Sequence, residues 1–123
     1  MDEKAIRAAY AAFVRAWNNG DRVGAVAGIY ADRVVMVPLD DFGTVWVSSE
    51  IQLAYQSRFP NVAAMGKLDI TIEQVCRDPG GVYVLITSRS RLPDGRESRG
   101  RACNYLVERR GRPVIVHDED RPP

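Results

Sequence analysis

From residue 67 onward the chain reads as four strand-like segments separated by three short turns, and this run limits the fold more than any other feature. "KLDITIEQVCR" alternates Leu68, Ile70 and Ile72 with Asp69, Thr71 and Glu73, the period of a half-buried strand. "DPGG" turns the chain into "VYVLITSRSRL", "PDG" turns it into "RESRGRACNYLVE", and "RRGR" turns it into "PVIVHDED". Consecutive strands joined by turns this short can only pair antiparallel, so the second half predicts a four-stranded meander. A meander with one apolar face needs a layer to cover it, and the first half supplies helices.

In "DEKAIRAAYAAFVRAWNNGD" the residues Ile6, Tyr10, Phe13, Val14 and Trp17 form one stripe of an amphipathic helix, with Asp2 as N-cap and Asn19-Gly20 as the stop. Asp21 then caps a shorter helix, "RVGAVAGIY", with Val23, Val26 and Tyr30 on one side. "RVVMVPL" is a short β-branched strand ended by Pro38, and "DDFGTVW" reads as a turn. "SSEIQLAYQSRF", capped by Ser48 or Ser49, places Ile51, Tyr55 and Phe59 at helical spacing; Pro60 and "NVAAMG" form a loop. The order is helix, helix, strand, helix and four strands. It predicts a single α+β domain over residues 1–123, with three helices on one face of a curved, mostly antiparallel sheet.

Composition excludes several functions. Net charge is +1, which gives no field to recruit nucleic acid or an anionic membrane. Of the 17 basic residues 15 are arginine, nine of them between Arg77 and Arg112, and only Tyr83 and Tyr105 lie among those as bases could stack on; a solvated sheet face accounts for them better than an RNA-binding one. Cys76 and Cys103 suggest free thiols in a reducing compartment. The N-terminus lacks an apolar signal core, and no apolar run approaches a membrane span, so the expected location is cytoplasmic. There is no glycine-rich phosphate loop and no zinc-ligand spacing, so no cofactor or metal is expected.

The helix ending in "AWNNGD", the short helix ending in "YAD", the strand ending in proline, the third helix and the closing "IVHD" together resemble the SnoaL-like, ketosteroid-isomerase-like branch of the nuclear transport factor 2 superfamily. The resemblance spans nearly the whole chain. It implies a cone-shaped, cystatin-like α+β fold that encloses a pocket, and a homodimer joined through the sheet face. It does not fix an activity, since such folds host isomerases, polyketide cyclases, epoxide hydrolases, dehydratases and binding modules. Aligned on Asn18-Asn19-Gly20-Asp21, the isomerase's oxyanion-holding tyrosine falls at Phe13, its general base at Val37, and its second acid at or beside Cys103. Phenylalanine and valine can neither donate to an enolate nor take a proton, which excludes a steroid isomerase of that mechanism. The epoxide-hydrolase pattern keeps Arg101 and Asp118 but meets Cys103 where its other acid belongs. The cyclases, which draw an aspartate and a histidine from the final strands, fit best.

The site expectation follows from the last hairpin. With Arg110-Gly111 as a two-residue turn, regular pairing sets Val107 opposite Val114, Tyr105 opposite Val116, Cys103 opposite Asp118 and Arg101 opposite Asp120, all on one face. Asp118 is the expected proton shuttle, with Arg101 and Asp120 as its polar setting. His117 falls on the other face with Asn104 and ranks second; a one-residue bulge would exchange the faces. Tyr10, Phe13, Trp17 and Tyr30 are expected on the core or pocket wall. So are Trp46, Tyr55 and Phe59, while Cys103 and Tyr105 border the ligand through the register and Val37 through the resemblance, which sets it where the isomerase keeps its base. Asp40-Asp41 and Met36 fall near the pocket mouth. The predicted activity is acid/base chemistry on an apolar, oxygenated small molecule, of cyclase, isomerase or dehydratase type. The alternative is a non-catalytic dimeric module that binds a ligand or protein.

Overall fold

The computed structural model describes residues 1–39 and 43–123. Helix α1 spans Glu3–Asn18 and starts where the Asp2 carboxylate accepts from the Ala5 N–H at 2.7 Å. It buries Ile6, Tyr10, Phe13 and Trp17, the predicted stripe, with Val14 at its half-buried edge. Gly20 ends it at φ 82°, a left-handed backbone that glycine adopts without a Cβ penalty. Helix α2, Arg22–Ile29, is capped by Asp21 accepting from Gly24 N–H at 2.8 Å. It turns Ala25, Val26 and Ile29 inward, whereas Val23, expected on that side, is 62% exposed. Tyr30 lies beyond the helix and opens strand β1, Tyr30–Val37.

Two elements exceed the sequence expectation. Thr44–Val47, within a stretch read as a turn, forms β2 and pairs antiparallel with β1; Asp40 and Asp41 lie outside the described residues. Val62–Met65, read as loop, makes one turn of helix, α4, with Asn61 accepting from Ala64 N–H at 3.0 Å. Between them runs α3, Ser48–Arg58, whose first turn is closed by Glu50 accepting from Val47 N–H at 2.8 Å rather than by a serine cap.

Strands β3 (Lys67–Arg77), β4 (Val82–Arg91), β5 (Glu97–Arg109) and β6 (Arg112–Arg121) form the predicted meander. The sheet order is β2-β1-β6-β5-β4-β3, with all pairs antiparallel except β1 beside β6. That parallel pair places β6 inside the sheet. The helices cover one face, and the core forms there from α1, α2 and the buried Val84, Ile86, Leu106 and Ile115. Among the described residues no helix is long and apolar enough to cross a membrane.

Gly66 joins α4 to β3 at φ 65°, and a Cβ there would stand 2.2 Å from the Arg91 carbonyl oxygen. Gly66→Ala therefore combines left-handed strain with a backbone clash. It should lower unfolding free energy by about 2 kcal/mol in urea denaturation; an unchanged midpoint would show that the β3–β4 edge yields.

Candidate functional site

The turn at Arg110 (φ 54°) and Gly111 (φ 73°) has both residues left-handed, as a two-residue hairpin loop requires, and the first pairs match expectation: Arg109 with Arg112, Val107 with Val114. The register then slips by one. Leu106 pairs with Ile115 but Tyr105 pairs with His117, leaving Val116 as an extra residue on β6. Beyond this bulge Asn104 faces Asp118, Cys103 faces Glu119, Ala102 faces Asp120 and Arg101 faces Arg121.

The slip corrects the expected cluster. Asp118 and Asp120 lie on the helix-covered face, but their neighbours across the ladder are Asn104 and Ala102, not Cys103 and Arg101. Side chains alternate along β5, so Arg101, Cys103 and Tyr105 leave from the outer face. There Tyr105 packs on Tyr83 with ring centroids 4.6 Å apart and donates to Asp78 Oδ1 at 2.9 Å. Arg101 nevertheless borders the hollow, as do Arg58, Arg99 and Arg121. His117, paired with Val35 and Tyr105, and Val37, paired with Glu119, also belong to the outer face. Trp46 packs against the core from β2 without reaching the hollow.

Under the helices lies a cavity of about 500 Å³, within the usual range for small-molecule sites. One wall is aromatic: Phe13 and Trp17 stack at 6.1 Å, and Trp17 meets Tyr55 and Phe59 edge-on at 5.1 and 5.3 Å. Tyr10, Tyr30 and Met36 complete that side. Toward the β4–β5 end the wall becomes small and hydroxylic at Ser88, Ser90, Ser98 and Gly100.

The polar floor is one connected network. Tyr10 donates its hydroxyl to Asn104 Oδ1 at 2.7 Å, and Asn104 Nδ2–H donates to Asp118 Oδ1 at 2.8 Å. Tyr30 donates to Asp118 Oδ2 at 2.8 Å. Asn104 is 1% exposed and Asp118 8%, so each bond replaces water that burial removed. Burial pushes the Asp118 carboxyl up to about 6, and the nearby Asp120 carboxylate adds to the rise; the bonds from Tyr30 and Asn104 oppose it but do not cancel it. Burial also raises Asp120 above the ordinary carboxylate range. Tyr30 and Tyr10 are pushed above the usual phenol range, and Tyr55 up to about 12, all chiefly by burial. The phenols therefore stay protonated as donors, while Asp118 is poised to change state near neutral pH.

Asn104 is the member of the site that the regular register misses. The arginines supply the signal: Arg99 and Arg101 mark the solvent face of β5, which leaves Gly100, Ala102 and Asn104 for the inside. Among the described residues no group of three His, Cys, Asp or Glu side chains is arranged to hold a metal ion.

No protein-family profile and no curated protein matches the sequence. Solved structures do match. An NTF-2-like protein of unknown function from Shewanella oneidensis superposes with a TM-score of 0.84 at 19% identity, over 98% of each chain. A domain of unknown function with a cystatin-like fold, from Nostoc punctiforme, gives 0.77 at 22% identity over 97% of this chain and 75% of that one. A protein of unknown function from Mycobacterium tuberculosis gives 0.73 at 15% identity, over 95% and 69%. At these identities the likeness establishes the fold alone: an α+β, nuclear transport factor 2-like architecture.

Proposed function

We propose that the cavity binds a small, largely apolar molecule with an oxygen function and that Asp118 moves a proton on it, in chemistry of the isomerase, cyclase or dehydratase type. The observation that carries this reading is the buried Asp118 carboxyl, which borders the cavity with a pKa of about 6. A carboxyl tuned near the working pH is effective as both base and acid. Its surroundings also direct the proton. Asn104 offers Asp118 only an N–H, which cannot accept, so a proton arriving on the carboxyl goes to the Oδ2 side. Tyr30 then accepts from Asp118, and its own hydrogen is free to turn toward a ligand oxygen.

A binding module is the second reading, favoured by the fact that both Asp118 oxygens already accept internal hydrogen bonds. In that case the network is a rigid floor, and the outer sheet face, with Tyr83 46% exposed, would meet a second copy or another protein.

Deuterium exchange separates them. With cyclohexanone as probe in heavy water near neutral pH, the wild type should speed exchange of the protons beside the carbonyl, and Asp118→Asn should lower that rate by on the order of 100-fold. The Trp17 indole resonance reports occupancy. If the probe shifts Trp17 but exchange is the same in both proteins, Asp118 is not a catalyst and the binding module stands.

A further inference from the structure

The inward line of β5 runs Asn104, Ala102, Gly100 and Ser98, and each of these borders the cavity. No side chain in that line is larger than asparagine, whereas Leu106, one step nearer the turn, is fully buried in the core. Strand β4 changes with it: Val84 and Ile86 stand opposite Asn104 and Ala102, then Ser88 and Ser90 opposite Gly100 and Ser98. A glycine inside a strand weakens it, and such a residue often marks a bulge or a place where something approaches the backbone closely. Here the β4–β5 ladder has no bulge and Gly100 has no positive φ that would demand a glycine. A Cβ at Gly100 would crowd only the Ser88 hydroxyl, at 3.0 Å, a group that can rotate away. The line forms a trough that starts at the Asn104–Asp118 pair and reaches the Ser88–Gly100 pair four residues, or about 13 Å, along the strand.

Hydroxyls at the far end of this trough are uncommitted. Ser88 Oγ meets the Gly100 carbonyl oxygen only at 3.5 Å, and Ser90 and Ser98 take no part in the side-chain hydrogen bonds among the described residues. Charge does not choose the guest, because Arg58, Arg99, Arg101 and Arg121 border the cavity together with Asp118 and Asp120. Shape and hydrogen bonding do, and a serine hydroxyl can both donate and accept. We propose that the trough along β5 is a second subsite: it takes an elongated ligand that runs from Asp118 to the serines and ends in a neutral hydroxyl, about 10 Å from the oxygen at Tyr30. This deepens the small-molecule reading of the same cavity and rests on it. Gly100 and Ala102 set the length of the guest, and Ser88, Ser90 and Ser98 select its end group. A ligand of one ring would fill the aromatic end, against Phe13 and Trp17, and leave the trough to water.

Graded ketones test it: cyclohexanone, 4-cyclohexylcyclohexanone, and the latter with a hydroxyl or a carboxylate on the far 4′ carbon. Each is titrated into the full chain at pH 8, with binding followed by the Trp17 indole resonance. The second ring should tighten binding at least about tenfold, and the hydroxyl compound should bind tightest of the series. Gly100→Val fills the trough with a residue that strands favour, at a half-buried position. It should cancel most of the gain from the second ring and leave cyclohexanone unaffected. Replacing Ser88, Ser90 and Ser98 together by alanine should weaken the hydroxyl compound about tenfold and its parent hardly at all. The proposal is overturned if the second ring adds nothing, if its gain survives Gly100→Val, or if the alanine variant keeps the hydroxyl preference. It is also overturned if the carboxylate binds tightest, since the rim arginines would then select the far end. In each of these cases a Trp17 shift with cyclohexanone leaves the cavity reading in place. If no ketone moves Trp17, both readings fall.

Discussion

Asn104→Leu, which keeps the number of side-chain heavy atoms but removes both hydrogen bonds, is expected to cost about 3 to 5 kcal/mol of unfolding free energy at pH 8. Two groups lose their partners at once. The Tyr10 hydroxyl, on a residue 4% exposed, no longer has the amide oxygen that accepts it, and Asp118 loses one of the two donors that hold its buried charge. Urea denaturation across pH identifies the cause. At pH 5 Asp118 is mostly protonated, so less charge is left unsolvated and the cost should be smaller by about 1 to 2 kcal/mol. A deficit that stays constant between pH 5 and pH 8 would mean that packing, not the carboxylate, is what leucine disturbs.

Asp118→Asn should act in the opposite direction at neutral pH. The carboxyl titrates at about 6 in the folded protein, against an ordinary value of 3.8. Between those values the native state holds more protons than the unfolded chain, so this group's contribution is complete below pH 3.8 and is lost as pH rises through 6. Each pH unit of that interval is worth about 1.4 kcal/mol, so the charged wild type should be less stable than the asparagine variant by up to about 3 kcal/mol at pH 8. The two proteins should converge near pH 3.5. Asp120 titrates with the same sign in both proteins, and its repulsion of the Asp118 carboxylate is already part of the rise to about 6. An asparagine variant no more stable than wild type at pH 8 would place the Asp118 charge in a better solvated setting than its burial implies. A carboxylate kept at a stability cost suits function better than structure.

The order of elements was legible because its signals are local. Period-two alternation from Leu68 to Ile72, the aspartate caps at positions 2 and 21, and the glycine stop at position 20 each act within a few residues. Strand β2 and the parallel β1–β6 pair were not legible, since both depend on partners distant in the chain, and four residues of "TVWV" carry too little pattern to declare a strand. The site divides in the same way. Asp118 and Asp120 could be placed inward, but their neighbours could not, because the bulge at Val116 lies in an unbroken apolar run, "PVIV", where no alternation marks the slip. One unpaired residue replaced an expected arginine and thiol with an amide and an alanine.

Strand β6 is held by hydrogen bonds along both edges, to β1 on one side and β5 on the other, and Asp118 is built on it. The acid is therefore anchored to an interior strand of the sheet, whereas Tyr55 and Phe59 come from α3 and its C-terminal cap. The aromatic wall and the buried acid are thus mechanically separable. Under the proposed function, substitutions along α3 would reshape what the chamber admits while Asp118 keeps its position, an arrangement that would let selection, or an engineer, change the guest without rebuilding the reagent.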